Sequence, residues 1–486
     1  MQPVTENEDR AKQSAQPRRV LGLRDLVMFY VVASLSLRWI PLAAAAGPGT
    51  IVIWLVGVST IFLPLALCVM ELSSRYPQEG GMYVWSKQAF GDFSGFITGW
   101  IYWTSNLPYF PAILYFAASN ALYVGGNRWK AWQGSSTFFI AFSIGGLALA
   151  LLMNIVGLNV GKWLNNIGAL GTWVPIALLC VVGAVIWSRF GSATAFTAES
   201  MVPSFKVANI SVWATVLYAF AGAESASFMG AEIKQPRRTI PPALLVAGFI
   251  VASSYTLGTV AMLVSLPREQ LNSLEGIMQA ITSSAMRIGW HGLGPAVALL
   301  ICIANLGAVG AYLAALARLP FVVGIDRYLP PAFARVHPRW GTPYVALVVQ
   351  ALCSVVLVVL GQLGSSVHGA YQVLVSMSII ANFIPYLFMF AALIRLQDEP
   401  VESGVVRIPG GKRVAVAVAL FGSIATVLVL IGSTFPDPDE PHKLLAVMKI
   451  VVLSAVLVAA GAGLYWMGKQ RLKARLLRAG QGLSWK

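Results

Sequence analysis

The chain has 486 residues, 57% of them hydrophobic and only 11% charged, with a formal net charge of +15. Soluble globular chains carry roughly 25% charged residues, so a water-facing globule is excluded and a lipid bilayer is implied as the solvent. The basic excess does not read as a nucleic-acid face, because Lys and Arg lie in short gaps between apolar runs; it reports topology and attraction to anionic lipid headgroups.

A hydrocarbon layer of about 30 Å takes roughly 20 apolar residues per spanning helix. A polar N-terminal tail, residues 1–25, shows no cleavage pattern of the signal-peptide kind. Six spans are then predicted at Leu26 to Gly47, Thr50 to Leu72, Phe93 to Tyr123, Phe138 to Val156, Leu164 to Ile186 and Val212 to Phe228. Six more follow at Ala243 to Leu266, Leu293 to Val323, Tyr344 to Leu360, Tyr371 to Ile394, Val414 to Ile431 and Leu444 to Met467. The fold class expected is therefore all-α, a single transmembrane domain of twelve helices over residues 26–467. A basic tail, 468–486, closes the chain, and its Leu472, Leu476 and Leu477 alternate with Lys and Arg as in a short helix lying on the membrane surface.

Twelve spans place both termini on one side. Of the 34 Lys and Arg, about 25 fall on that side and about 8 on the other, with Arg38 inside a span. Short loops rich in Lys and Arg face the cytoplasm, so both termini are expected there, in a cytoplasmic (plasma or inner) membrane. The dense clusters are Arg18, Arg19 and Arg24; Lys234, Arg237 and Arg238; Arg327, Arg335 and Arg339; Arg407, Lys412 and Arg413; and the tail from Lys469 to Lys486.

Enzymes, pumps and channels are disfavoured. The cysteines (Cys68, Cys180, Cys302, Cys353) sit in apolar runs, and the histidines (His291, His337, His368, His442) are scattered without metal spacing, so neither metal nor cofactor is expected. Gly411-Lys412 is followed by Arg413, with Pro409 where a phosphate-binding loop needs Gly, which excludes ATP-driven transport by this chain. No filter-like stretch marks a channel; a non-transporting amino acid sensor stays open as a rival of another class.

Two spans depart from the continuous apolar rod. The first contains Ser34, Ser36, Arg38 and Pro41, then Gly47, Pro48 and Gly49; the sixth contains Gly222, Glu224, Ser225 and Ser227 in its middle. An Arg near mid-membrane costs about 2.5–3.5 kcal/mol on insertion scales, so Arg38 should face protein or a cavity. Broken helices expose backbone groups that a polar solute can satisfy, and their half-helix ends carry partial charges suited to a zwitterion. A structural ion pair between Arg38 and Glu224 is the alternative, and the two readings can coexist. Trp39 and Phe220 adjoin the breaks; Asn106 and Asn305 are candidates for the same cavity, with interhelical hydrogen bonds equally open to them. Tyr102, with Trp100 and Trp103, reads as an interface or packing residue. Glu71 to Arg75 close the second span, where a helix end and a gate are both open readings.

These residues give the chain a resemblance to the amino acid/polyamine/organocation permease superfamily, over nearly its whole length. The marks are Glu71-Leu72-Ser73-Ser74-Arg75-Tyr76-Pro77 with Glu79-Gly80-Gly81-Met82-Tyr83-Val84-Trp85 after span two, and Gly222-Ala223-Glu224 in span six followed by Glu232, Pro236 and Pro241. Ser36-Leu37-Arg38-Trp39-Ile40-Pro41, Leu266-Pro267 leading to Gly276-Ile277-Met278-Gln279, and Ile408-Pro409-Gly410-Gly411-Lys412 are most similar to the glutamate/γ-aminobutyrate antiporter branch. The resemblance implies a leucine-transporter-like fold, with five-plus-five inverted repeats at about 26–190 and 208–395 and two C-terminal helices. It further implies secondary active transport of an amino acid or related amine by alternating access, as exchanger or proton-coupled symporter, with a polyamine permease as the alternative. Substrate would lie between spans one and six, at Ser36, Arg38, Trp39, Phe220, Gly222, Ala223 and Glu224, approached by Asn106 and Asn305.

Where many relatives carry a Gly-Ser-Gly or Gly-Ala-Gly stretch whose amides hold a carboxylate, this chain has Ser36-Leu37-Arg38. Arg38 is therefore a candidate for a charge-assisted contact to an anionic group, or for holding Glu224. Between Lys162 and Arg189 there is no basic residue, and from Trp290 to Gly341 there is no Ser or Thr. Proton coupling through a span-five lysine and sodium binding by span-eight hydroxyls are thus not expected. Replacing sodium with choline should leave uptake intact; loss of transport would refute the sodium half of this.

Overall fold

The computed structural model describes residues 21–482, apart from 79, 157–158, 207–208, 226, 229–232, 291, 323–327, 401–403 and 437–439. Arg18, Arg19, Glu79, Glu232, His291, Arg327 and Lys486 of the sequence reading lie outside the described residues. Every regular element among them is helical, and the extended pairing consists of one parallel bridge between Leu21 and Ile233.

Span one is two helices, α1 (Leu23–Ser34) and α2 (Trp39–Ala45), bent 49° at a break over Leu35 to Arg38. Pro41 does not make the break. It sits in the first turn of α2, where its missing N–H would have found no intrahelical partner anyway. Span two, Gly49–Arg75, is α3 (Gly49–Gly57) and α4 (Leu63–Arg75) joined by a π turn at Val58–Phe62. Pro64 has no N–H to return to the Thr60 carbonyl, so the helix widens there. The Ser59 and Thr60 hydroxyls bond back to the Leu55 and Val56 carbonyls at 3.0 and 2.8 Å.

A short helix, α5 (Met82–Phe90), precedes α6 (Asp92–Thr104) and α7 (Asn106–Ala121), which meet at Ser105 within the third predicted span. Then come α8 (Ser136–Val156), α9 (Asn159–Phe190) and α10 (Ile210–Tyr218), the last ending a few residues ahead of the polar stretch at which span six was expected to break. The second half of the chain holds α11 (Pro236–Ser265), α12 (Gly276–Arg287), α13 (Leu293–Val322), α14 (Tyr344–Gln362), α15 (Val367–Leu396), α16 (Gly411–Ser433) and α17 (Lys443–Gly482).

Among the described residues nine helices are long and apolar enough to cross a membrane unbroken, and the bent α1–α2 pair makes a tenth. The third predicted span is interrupted at Ser105, which the sequence did not signal, and the sixth stops being helical after Tyr218, just ahead of its expected break at Gly222 to Ser227. The basic tail also differs from expectation. Rather than forming a separate surface helix, it continues α17 as far as Gly482, a stretch made mostly of the good helix formers Lys, Arg, Leu and Ala, with no proline to stop it.

Burial orders the bundle. In α15, 61% of the apolar window is buried, against 22% in α17, so α15 runs through the centre and α17 along the rim. Two sequence marks of the permease resemblance meet at one end of α15. Glu71, at the end of α4, is 1% exposed and accepts from Arg75 (Nη2 at 2.8 Å, Nε at 3.0 Å), Gln397 Nε2 at 2.7 Å and the Ile408 N–H at 2.9 Å. Arg75 Nη1 also donates to the Leu396 carbonyl at 2.9 Å, and the Val406 N–H donates to Ser74 Oγ at 2.8 Å. The helix-end motif and the Ile408-Pro409-Gly410 loop thus form one buried polar knot. At the other end, Tyr123 and Gln133 donate to Glu275, just before α12, and burial holds that carboxyl above its usual range.

Candidate functional site

At the span-one break three backbone groups are held by side chains of α11 and α13. The Ser36 N–H donates to Tyr255 Oη at 3.0 Å, Tyr255 donates in turn to the Ser34 carbonyl at 2.6 Å, and Tyr312 donates to the Ala33 carbonyl at 3.2 Å. Trp54 fixes Tyr255 by stacking, with centroids 4.6 Å apart, while its indole N–H bonds Thr259 Oγ1 at 3.0 Å. A buried backbone group without a partner is costly, so the break is held open by construction.

At the span-six break the chain turns through Ala219 to Glu224. Gly222 has φ +113°, and its N–H lies 3.1 Å from Glu224 Oε2 and 3.3 Å from Tyr386 Oη. Tyr386 of α15 donates to Glu224 Oε2 at 2.8 Å and Tyr102 of α6 donates to Oε1 at 3.2 Å. The Ser225 and Ser227 hydroxyls close tight turns onto the Gly222 and Glu224 carbonyls at 2.6 and 2.5 Å. Gly81, before α5, is the counterpart packing device: a Cβ there would lie 2.2 Å from Ser227 Oγ. The Gly80-Gly81 mark therefore seats α5 against the return of span six.

Arg38 and Glu224 are each 1% exposed, and both line one cavity of about 80 Å³. They form no ion pair. Glu224 is held by the two tyrosines and the Gly222 N–H, whereas Nε, Nη1 and Nη2 of Arg38 have no protein acceptor. The Arg38 guanidinium carbon sits 4.0 Å from the Trp39 ring centroid and 4.5 Å from that of Tyr109, a cation–π arrangement that stabilises a desolvated charge by about 2 kcal/mol or more.

Of the residues singled out from sequence, Ser36, Arg38, Trp39, Asn106, Gly222 and Glu224 line this cavity. Three do not. Phe220 turns away into an aromatic cluster with Trp54, Phe62 and Tyr255, at centroid distances of 5.7, 6.4 and 6.0 Å. Ala223 is buried beside the lining. Asn305 lines a neighbouring cavity of about 70 Å³, which shares Ser36, Tyr109 and Tyr312 with the first, and its amide N–H bonds the Ile301 carbonyl at 2.7 Å. The two asparagines thus line separate hollows.

Sequence reasoning missed Tyr109, Tyr218, Tyr312 and Asn382, which line the cavity, and Tyr386, which holds Glu224. It also placed Tyr102 among packing residues, and the structure corrects this: Tyr102 lines the cavity and bonds Glu224. One signal was available, since Tyr102, Asn106 and Tyr109 are spaced by four and three residues, as on one face of a helix. Among the described residues no cluster of three or more His, Cys, Asp or Glu is placed to hold a metal ion.

The model of the amino acid permease family matches residues 21–460. The chain belongs to that family. An uncharacterized transporter of Legionella pneumophila is 30% identical over 436 residues, covering 88% of this chain and 92% of the relative. A serine/threonine exchanger of Bacillus subtilis is 26% identical over 384 residues, covering 79% and 80%. Among solved structures, the transporter MhsT, crystallised with L-phenylalanine, superposes with a TM-score of 0.56 at 12% identity, covering 86% of this chain and 99% of that one. The permease thus has the all-α, leucine-transporter-like fold and is a multi-pass membrane transporter, not an enzyme. The likeness extends to the amino acid/polyamine/organocation superfamily; nothing in these relatives singles out the glutamate/γ-aminobutyrate branch.

Proposed function

We propose that this permease is a secondary active transporter that moves amino acids by alternating access, with both termini in the cytoplasm and substrate held at the breaks of spans one and six. The observation that carries this reading is that two interrupted spans line one cavity containing a buried acid and a buried base. Charge kept in hydrocarbon without function is selected against by its insertion cost. The unwound residues can absorb the backbone rotation that opening to either side requires, since hinges lie at element ends.

Tyr102, Glu224 and Tyr386 tie α6, the span-six break and α15 together through one carboxylate. A solute entering the cavity competes for those bonds, which couples occupancy to the relative position of the three elements. Kinship with a serine/threonine exchanger supports exchange as the working mode. The test is counterflow in proteoliposomes loaded with unlabelled amino acids: external labelled substrate should accumulate transiently without nucleotide or sodium. Binding with no counterflow for any of the twenty amino acids would overturn the reading and favour a sensor.

A further inference from the structure

We propose that the cavity selects its ligand by the carboxylate and not by the amine, so that it takes 2-amino and 2-hydroxy acids and rejects the matching decarboxylated amines. This rests on the cavity being the transport site.

The asymmetry between the two buried charges is the reason. Glu224 already accepts Tyr386 at 2.8 Å, the Gly222 N–H at 3.1 Å and Tyr102 at 3.2 Å, so most of its acceptor capacity is committed within the protein. Arg38 is equally buried, yet none of its three nitrogens has a protein acceptor. The rings of Trp39 and Tyr109 stand by its guanidinium, and an aromatic face attracts the cation without accepting its N–H bonds in the plane. The in-plane edge of a guanidinium is the fork that a carboxylate fills with two parallel hydrogen bonds. The ligand's anion thus supplies what the protein withholds.

The partner offered to the other end of the ligand is neutral. Asn382 Oδ1 is buried without a hydrogen-bond partner, and Asn382 lines the cavity with Arg38. An amide oxygen accepts from an ammonium or a hydroxyl alike, so a 2-hydroxy acid can stand in for the amino acid. A decarboxylated amine, in contrast, would leave Arg38 unpaired and add a second positive charge beside it, where low dielectric magnifies the repulsion. Losing hydrogen bonds to a charged group costs roughly 10- to 150-fold in affinity, and the amine loses two.

The test uses purified full-length wild-type protein and thermal shift, since a ligand of the native form raises apparent stability. All twenty amino acids are screened, and the one giving the largest shift is compared with its 2-hydroxy acid and its decarboxylated amine. The hydroxy acid is expected to bind within about tenfold of the amino acid, and the amine roughly a hundredfold more weakly or not at all. In R38K protein, which keeps the charge and loses the fork, both acids should weaken at least about tenfold. An amine that binds within tenfold of its amino acid, a hydroxy acid that fails where the amino acid binds, or no shift from any amino acid overturns the inference. Counterflow separates the two readings: exchange of amino acids and amines alike sinks carboxylate selection and leaves transport standing, whereas no exchange at all sinks transport.

Discussion

Glu71→Ala should lower the stability of the permease by about 3–5 kcal/mol, the usual effect of removing one partner of a buried ion pair. The loss arises because Arg75, whose side chain is 4% exposed, stays behind without its acceptor, as do the Gln397 amide and the Ile408 N–H. Thermal melting of purified protein checks it. Arg75→Ala in the same background should recover part of the loss, because the stranded charge is gone; a coupling energy of about 0.5–3 kcal/mol marks residues sharing one network. Recovery should be incomplete, since Arg75 also bonds the Leu396 carbonyl and Glu71 also anchors Ile408. A single variant that melts like wild type would show that the knot between α4, the end of α15 and the loop before α16 carries no stability.

That knot illustrates what was legible in the chain and what was not. Glu71 to Arg75 and Ile408 to Lys412 were each visible as marks, but nothing in a linear pattern says that residues 71 and 408 touch. Arg38 and Glu224 stood out because charge in an apolar run is expensive wherever it occurs, and the break of span one was correctly placed around Ser36 and Arg38 because those residues interrupt the apolar stretch. Tyr218, Tyr312 and Tyr386 gave no such signal. A tyrosine in a span is ordinary packing until it is seen to line a cavity, as Tyr218 does, or its hydroxyl to bond a carboxylate or carbonyl, as those of Tyr386 and Tyr312 do.

Phe220 failed for another reason. Adjacency to a break in sequence does not set direction where the backbone has left the helix, and here it points toward Trp54 and Tyr255 rather than the cavity. Asn305 stood out as a polar residue inside an apolar span, which does not say which hollow it faces, and the shared wall of Ser36, Tyr109 and Tyr312 puts it one hollow away. The interruption at Ser105 was missed because apolar length is blind to a single-residue break.

Gly222→Ala should reduce counterflow at least about tenfold while the protein still folds. At φ +113° an alanine is strained by about 1–3 kcal/mol, and its Cβ would lie 2.8 Å from Ser34 Oγ and 3.3 Å from the Ala33 carbonyl oxygen. Either the two breaks move apart or the turn flips to negative φ, and both outcomes carry the Gly222 N–H away from Glu224 and Tyr386. The strain is modest against a folded core but falls on the residues that orient the carboxylate, so transport should suffer more than melting temperature. Ser34→Ala in the Gly222→Ala background separates the two causes: it removes the nearest atom and leaves the backbone conformation unfavourable. Partial recovery of counterflow is expected, because contact is relieved and φ is not. Wild-type exchange by Gly222→Ala alone would mean that the span-six break takes no part in holding or moving the solute.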